Sequence, residues 1–194
     1  MRINQETKIE GDGIGLYPYQ ARFVDNYNKW MQDEELQAAT CSEPLTIEEE
    51  YEMQRKWAED EDKLTFIIVD RDKVLEGDPT EAMVGDVNLF LDHETKTAEC
   101  EVMIAAKDAR RKGFALEAMT LMIGYGIRFV KVENFFAVIT EDNQRSMALF
   151  EKLGFVQSDY ISVFKQYKYK LPNDRLDEFV QRLDKANIKN LDAA

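Results

Sequence analysis

The sequence predicts a single mixed α/β (α+β) domain, with helices interspersed among the strands. Three observations lead there. The chain has 194 residues, close to the size of one domain. Apolar residues make up 44% of it and include eleven phenylalanines, enough to build a core and too many for a disordered chain. Strand-type runs alternate with segments of helical periodicity, and no internal repeat or low-complexity linker separates them.

The elements follow in order. Ile14–Tyr19 reads as a first strand, closed by Pro18. Phe23, Tyr27, Trp30 and Met31 then share one helical face at i, i+4, i+7 and i+8. Thr46 with Glu49 forms a capping box for a second helix to about Trp57, which the acidic stretch Glu59–Asp62 ends. Leu64–Val69 is a buried-type strand, Asp70–Pro79 is turn-rich, and Met83–Leu91 and Thr97–Ala105 are further strands. In the last of these, Glu99, Glu101 and Met103 alternate with Cys100, Val102 and Ile104.

A long helix follows Arg110–Gly113, with Ala115, Met119, Met122, Ile123, Gly126, Phe129 and Val130 as its core face. Phe135–Thr140 is a strand, and Gln144–Leu153 a helix ended by Gly154. Phe155–Tyr160 and Val163–Leu171 make a hairpin, and a terminal helix, Asp174–Lys189, turns Leu176, Phe179, Val180 and Leu183 inward.

Composition excludes several function classes. No apolar run approaches the ~18 residues of a membrane helix, and MRINQETKIE has no signal-peptide core, so a cytoplasmic protein without membrane attachment is expected. Cys41, Cys100 and the single His93 have no metal-ligand spacing, so neither a metal centre nor a Ser-His-Asp triad is expected. Residues 1–100 carry 10 Lys/Arg against 25 Asp/Glu, a net of −15, whereas residues 101–194 carry 15 against 13, a net of +2. That balance opposes nucleic-acid binding and is compatible with a cationic partner on the first half, or with solubility alone. Gly11-Asp12-Gly13-Ile14-Gly15 has the wrong spacing for a dinucleotide fingerprint and precedes a strand, and no phosphate-binding GK(S/T) is present.

Two segments carry chemistry. Arg110-Arg111-Lys112-Gly113-Phe114-Ala115 lies between a strand and a long helix, where free N–H groups and a partial positive charge bind phosphate. Gly113 allows close approach to a pyrophosphate, and Ala115 keeps the first turn slim. A basic loop before an ordinary helix fits the same residues. The second segment runs from Asn143 through Ser146, Phe150 and Lys152 to Phe155, directly after a strand. Asn143 there caps the helix or bridges to a ligand.

Together these segments resemble the GNAT family of acetyl-CoA-dependent N-acetyltransferases. The family's first motif, Arg/Gln-x-x-Gly-x-Gly/Ala, matches Arg110, Gly113 and Ala115. The second matches Asn143, Ser146, Leu149, Phe150, Lys152, Gly154 and Phe155. The order of elements from residue 14 to 171 also fits. The stretches SEPLTIEEEYEMQ, MVGDVNLFL and ECEVMIA resemble the eukaryotic N-acetyltransferase 9 subfamily.

The resemblance implies a GNAT domain over residues 1–172, with a mostly antiparallel mixed sheet, splayed central strands and helices on both faces. A C-terminal helix and tail, 173–194, follows. It implies acetyl-CoA as co-substrate, with pantetheine along Val102, Met103 and Ile104 and the pyrophosphate on amides of Arg111, Lys112, Gly113, Phe114 and Ala115, beside Arg110. Asn143 and Ser146 would lie along the pantetheine or steady the splayed strands. The family's frequent tyrosine acid is replaced by Phe150, so a water, Tyr160 or Tyr167 would protonate the thiolate, or it leaves unassisted. Glu99 stands where relatives are commonly acidic. Glu101 shares its strand face, so either carboxylate is a candidate base, and both also fit an ordinary solvated face. The implied acceptor is a protein or peptide, with tubulin chains as targets proposed for relatives, and the acidic first half suits a basic one. A small-amine (polyamine-type) acetyltransferase and a non-catalytic acyl-CoA-binding module are the alternatives.

Overall fold

In the computed structural model, which describes residues 1–40, 42–74 and 77–191, the strands join one mixed sheet in the order β7-β8-β6-β5-β4-β3-β2-β1-β9. The first half supplies β1 (Thr7–Glu10), β2 (Ile14–Pro18), α1 (Val24–Trp30), α2 (Glu34–Thr40), α3 (Ile47–Glu59), β3 (Lys63–Asp70) and β4 (Met83–Asp92). The second supplies β5 (Thr97–Ile104), α4 (Phe114–Tyr125), β6 (Asn134–Thr140), α5 (Gln144–Leu153), β7 (Val156–Ile161), β8 (Gln166–Lys170), α6 (Leu176–Leu183) and β9 (Asn187–Asn190). Every pairing is antiparallel except that of β5 with β6.

The sheet is covered on both faces, which is why all eight residues of β3 are buried. Leu64, Phe66 and Ile68 face a core built with Met119, Met122 and Ile123 of α4, Phe150 of α5, and Phe179 and Leu183 of α6. Ile67 and Val69 face the opposite way, into an aromatic core with Tyr19, Phe23 and Tyr27, flanked by Trp30 and Trp57. The capping box at Thr46 is present, its hydroxyl accepting from the Glu49 amide while Glu49 accepts from the Thr46 amide. Such a box contributes about 1 kcal/mol to helix stability.

Four features differ from the sequence expectations or were not among them. The N-terminal residues form a strand, β1, which pairs with β2 and also with β9. The terminal helix is shorter than Asp174–Lys189, because α6 stops at Leu183 and the chain extends into β9. It packs on this domain, with the Phe179 carbonyl lying so close to Gly124 of α4 that a Cβ there would come within 2.6 Å. The long helix changes winding at its end, with a π-helical turn over Gly126–Val130, and Phe129, expected inside, is 42% exposed. Finally, α2 is a helix that periodicity does not reveal, since Leu36 is its single buried residue. Cys41 lies outside the described residues. No helix among the described residues is long and apolar enough to cross a membrane.

The feature that positions the site is the separation of β5 from β6. They pair only at Thr97↔Asn134, Ala98↔Phe135 and Glu99↔Phe136. Beyond Glu99, β5 stays with β4 as far as Ile104↔Gly85, while β6 stays with β8 as far as Thr140↔Gln166. Gly85 permits this. A Cβ there would lie 1.9 Å from the Met103 carbonyl oxygen, so only glycine lets the end of β5 lie against β4. The Val84 carbonyl accepts from both Ala105 and Ala106 and holds the exit of β5 on the same side.

Candidate active site

A cavity of about 660 Å³ opens where the two strands part. Its sheet side carries Lys63 from β3, Asp86 and Asn88 from β4, and Glu99, Glu101, Val102 and Met103 from β5. Tyr27 and Met31 of the α1 segment and Trp57 of α3 wall one side. Val138–Thr140 of β6, with Asn143, Ser146 and Phe150 around α5, wall the other. The alternation of β5 explains the composition, since Glu99, Glu101 and Met103 point to the face that also holds Asp86 and Asn88.

Among the ionisable groups that line this cavity, which include Asp60 and Asp62 between α3 and β3, burial dominates the shifts of Glu101, Glu99, Asp86 and Lys63. Glu101 is reached by solvent at the cavity mouth but is ringed by protein. Desolvation, aided by the charges of Glu99 and Asp86 and opposed by Lys63, pushes its carboxyl up to about 7. Glu99 is raised by burial, with Lys168 pulling the other way. Asp86, 2% exposed, is raised by burial despite the amide of Asn88, the nearby Lys63 and the hydroxyl of Tyr27. Lys63, 5% exposed, is lowered by burial to about 8, with Asp86, Glu101 and Asp60 opposing. A carboxylate near 7 is poised to take a proton from an ammonium at neutral pH.

Asp86 belongs to a buried chain. The Thr65 hydroxyl donates to Asn88 Oδ1 at 2.6 Å, and Asn88 Nδ2 donates to Asp86 Oδ2 at 2.7 Å. The Tyr27 hydroxyl donates to the same oxygen at 3.5 Å. Among the described residues, Asp86 Oδ1 is buried without a partner. Neither Lys63 nor Asp86 was among the candidate residues from sequence. The available signal was the pair of polar residues two apart, Asp86 and Asn88, in the otherwise apolar strand Met83–Leu91.

The basic segment lies beyond the end of β5. Arg110 Nε donates to the Ile104 carbonyl at 3.2 Å, tying the loop to the strand. Gly113 is the N-cap of α4, with φ +89°, no side-chain cap, and open space where a Cβ would project. Arg111, at φ +65°, adopts the same uncommon left-handed conformation. The first amides of a twelve-residue helix therefore lie beside an open cradle, which fits an anionic group. Part of the loop's positive charge is already matched. Arg110 pairs with Glu35 at 3.0 Å, Lys107 with Asp33 at 3.0 Å, and Lys112 lies 3.9 Å from Asp70. Phe114 and Ala115 are half-buried in the first turn.

The remaining expected residues divide. Asn143 Oδ1 accepts from the Ser146 amide at 3.1 Å, so Asn143 caps α5, and both residues line the cavity. Phe150 lines it too, its ring packed edge-on against Phe155. Tyr160 is not brought there. Its hydroxyl donates to Glu141 at 2.6 Å and its ring stacks on Tyr167, outside the cavity lining.

Comparison with known proteins gives concordant results. Residues 14–156 match the model of the acetyltransferase (GNAT) domain. The alpha/beta-tubulin-N-acetyltransferase 9 of Drosophila melanogaster is 45% identical over 179 residues, covering 89% of this chain and 90% of the relative. Its human namesake is 45% identical over 177 residues, 88% of this chain and 86% of that one. The N-acetyltransferase 9-like protein of Caenorhabditis briggsae is 44% identical over 94% of both chains. Among solved structures, a Vibrio cholerae spermidine N-acetyltransferase in complex with CoA and spermine superposes with a TM-score of 0.69 at 18% identity, covering 81% of this chain and 93% of that one.

Proposed function

The chain belongs to the GNAT acetyltransferase family, alongside the N-acetyltransferase 9 proteins, and from that premise we propose that its acceptor is an amine of a protein. It is an acetyl-CoA-dependent N-acetyltransferase. The observation that carries the reading of the site is the cavity at the β5–β6 separation, where a carboxylate poised near 7 stands beside an unpaired strand edge.

Acetyl-CoA, when bound, supplies the acetyl group as a thioester. The residues present fit it. The uncapped start of α4 with Gly113 forms a cradle for the pyrophosphate, flanked by Arg110, Arg111, Lys112, Phe114 and Ala115. Val102 and Met103 line the cavity with backbone groups that β6 leaves unpaired, opposite Asn143, Ser146 and Phe150, and the same strand edge runs on to Ile104, whose carbonyl accepts from Arg110 Nε.

Glu101, with Glu99 two residues away on the same face, takes the proton of the acceptor ammonium. An amine attacks only when neutral, and a carboxyl near 7 is half ionised at neutral pH. Phe150 has no proton to give, and the Tyr160 hydroxyl is committed to Glu141, so neither acts as the acid. The names of the relatives point to amines of α- and β-tubulin as acceptors.

The test is acetyl transfer from labelled acetyl-CoA to peptides with free N-termini, the same peptides blocked but carrying an internal lysine, spermidine, and no acceptor. Transfer to peptides above the spermidine rate supports a protein acceptor. Transfer to spermidine alone, or none at all, would overturn it.

A further inference from the structure

Lys63 is a cation with no use in the chemistry above. It opens β3 opposite Phe90 of β4 and is 5% exposed. Its Nζ sits 3.8 Å from the centroid of the Trp57 ring and 3.8 Å from that of Phe90. Most lysines extend the ammonium to water or pair it with a carboxylate. Lys63 does neither. Among the described residues no carboxylate lies within 4 Å of it and no hydrogen bond uses its three donors. Asp60, Asp86 and Glu101 act on it only from farther away, and Asp86 is engaged by Asn88 and Tyr27.

Its direction is clear. Trp57 and Phe90, the two rings that hold Nζ, both line the 660 Å³ cavity. Neither ring lines a second cavity, of about 410 Å³, which Lys63 also borders. The ammonium therefore borders the 660 Å³ cavity, held over two ring faces and with its donors unmet. The cradle at Gly113 is elsewhere, since none of residues 110–115 lines this cavity.

We infer that Lys63 is an acceptor-specificity residue that binds a carboxylate of the acceptor close to the amine being acetylated. A neutral carbonyl would satisfy a donor and leave the buried charge uncompensated, whereas a carboxylate does both. The inference rests on the protein-acceptor reading and makes it more specific.

The experiment compares peptide pairs with a free N-terminus that carry Glu or Gln at the second, third or fourth residue, with spermidine alongside. It uses the wild-type chain and Lys63→Met, which keeps an unbranched, flexible side chain beside both rings and removes the charge. Because each Glu-to-Gln ratio of kcat/KM is taken within one protein, partial unfolding of the variant cancels. The expected wild-type ratio is about tenfold or more at one position. It falls to near one in Lys63→Met. A wild-type chain that acetylates peptides with no preference, or a preference that survives in Lys63→Met, overturns the role of Lys63 and leaves the protein acceptor standing. Acetylation of spermidine above every peptide overturns both.

Discussion

Replacing Glu101 with Gln should cost activity and gain stability at the same time, and both effects follow from one displaced carboxyl. Its folded value near 7 compares with an ordinary 4.5. About one tenth of the carboxyl is then ionised at pH 6, half at pH 7 and nine tenths at pH 8. If the ionised form takes the amine's proton, kcat/KM should rise with pH on this account alone by about tenfold from 6 to 8. A free N-terminal amine, titrating near ~8, has its own slope: the base needs it as the ammonium, so the wild-type profile turns down above that value, whereas without the base only the neutral amine reacts.

Glu101→Gln should lower kcat by ~10²–10⁴ at neutral pH and keep only the amine's slope, so the deficit shrinks above pH 9. The stability effect has the opposite sign. A carboxyl raised on folding is bound to its proton more tightly in the native state, so ionisation opposes folding. The penalty is absent below about pH 4.5, grows as pH rises toward 7, and is complete above it. The Gln variant should therefore unfold at higher temperature than wild type at pH 8 and at an equal temperature near pH 4.5. Full activity in Glu101→Gln, in Glu99→Gln and in the double variant would refute the assignment. A Tm difference that does not change with pH would refute the displaced carboxyl.

Two further substitutions test the scaffold of the site. Gly113→Glu places a side chain and a negative charge at φ +89° in the open cradle, so calorimetric titration should detect no acetyl-CoA binding while the circular dichroism spectrum stays native; binding at wild-type affinity would remove the cradle from the account. Gly85→Ala drives a methyl to 1.9 Å from a backbone oxygen that cannot swing away, and overpacking of that kind costs ~1–3 kcal/mol or more. Its Tm should fall by roughly 2–12 °C for a chain of this size, with kcat/KM falling further as β5 shifts, and an unchanged Tm would show that the strands have slack.

What was legible in the sequence is what is decided locally. The bounds of α5 follow from the Asn143 cap and from Gly154 in the left-handed region at φ +92°, and both signals sit within the segment. The start of α3 follows from Thr46 and Glu49 in the same way. β1 and β9 were not legible because Thr7–Glu10 buries only Ile9 fully and Asn187–Asn190 is exposed throughout, so neither shows an apolar alternation. β9 is a strand because β1 lies beside it, about 180 residues away in sequence, and β1 is held between β9 and β2.

The site divides along the same line. The glycine turn and the residues around Asn143 are contiguous motifs that can be read in order. The meeting of Lys63, Asp86 and Glu101 depends on the register of three strands. Glu101 stands opposite Asn88, and Asn88 opposite Thr65, which puts these polar side chains on one face. The separation of β5 from β6 depends on how closely Gly85 approaches Met103, a contact between strands that no local pattern encodes.

The central claim is that the acceptor amine and the acetyl group meet in the cavity between β5 and β6, beside Glu101. A crystal structure of the chain with a conjugate of CoA joined through an acetyl bridge to a peptide N-terminus would test it most directly. The account predicts the pantetheine along Val102–Ile104, the pyrophosphate at Gly113, and the peptide nitrogen about 2.6–3.2 Å from the Glu101 carboxylate or one water away. A conjugate bound with its nitrogen out of reach of both Glu101 and Glu99, or with its pantetheine away from β5, would contradict it.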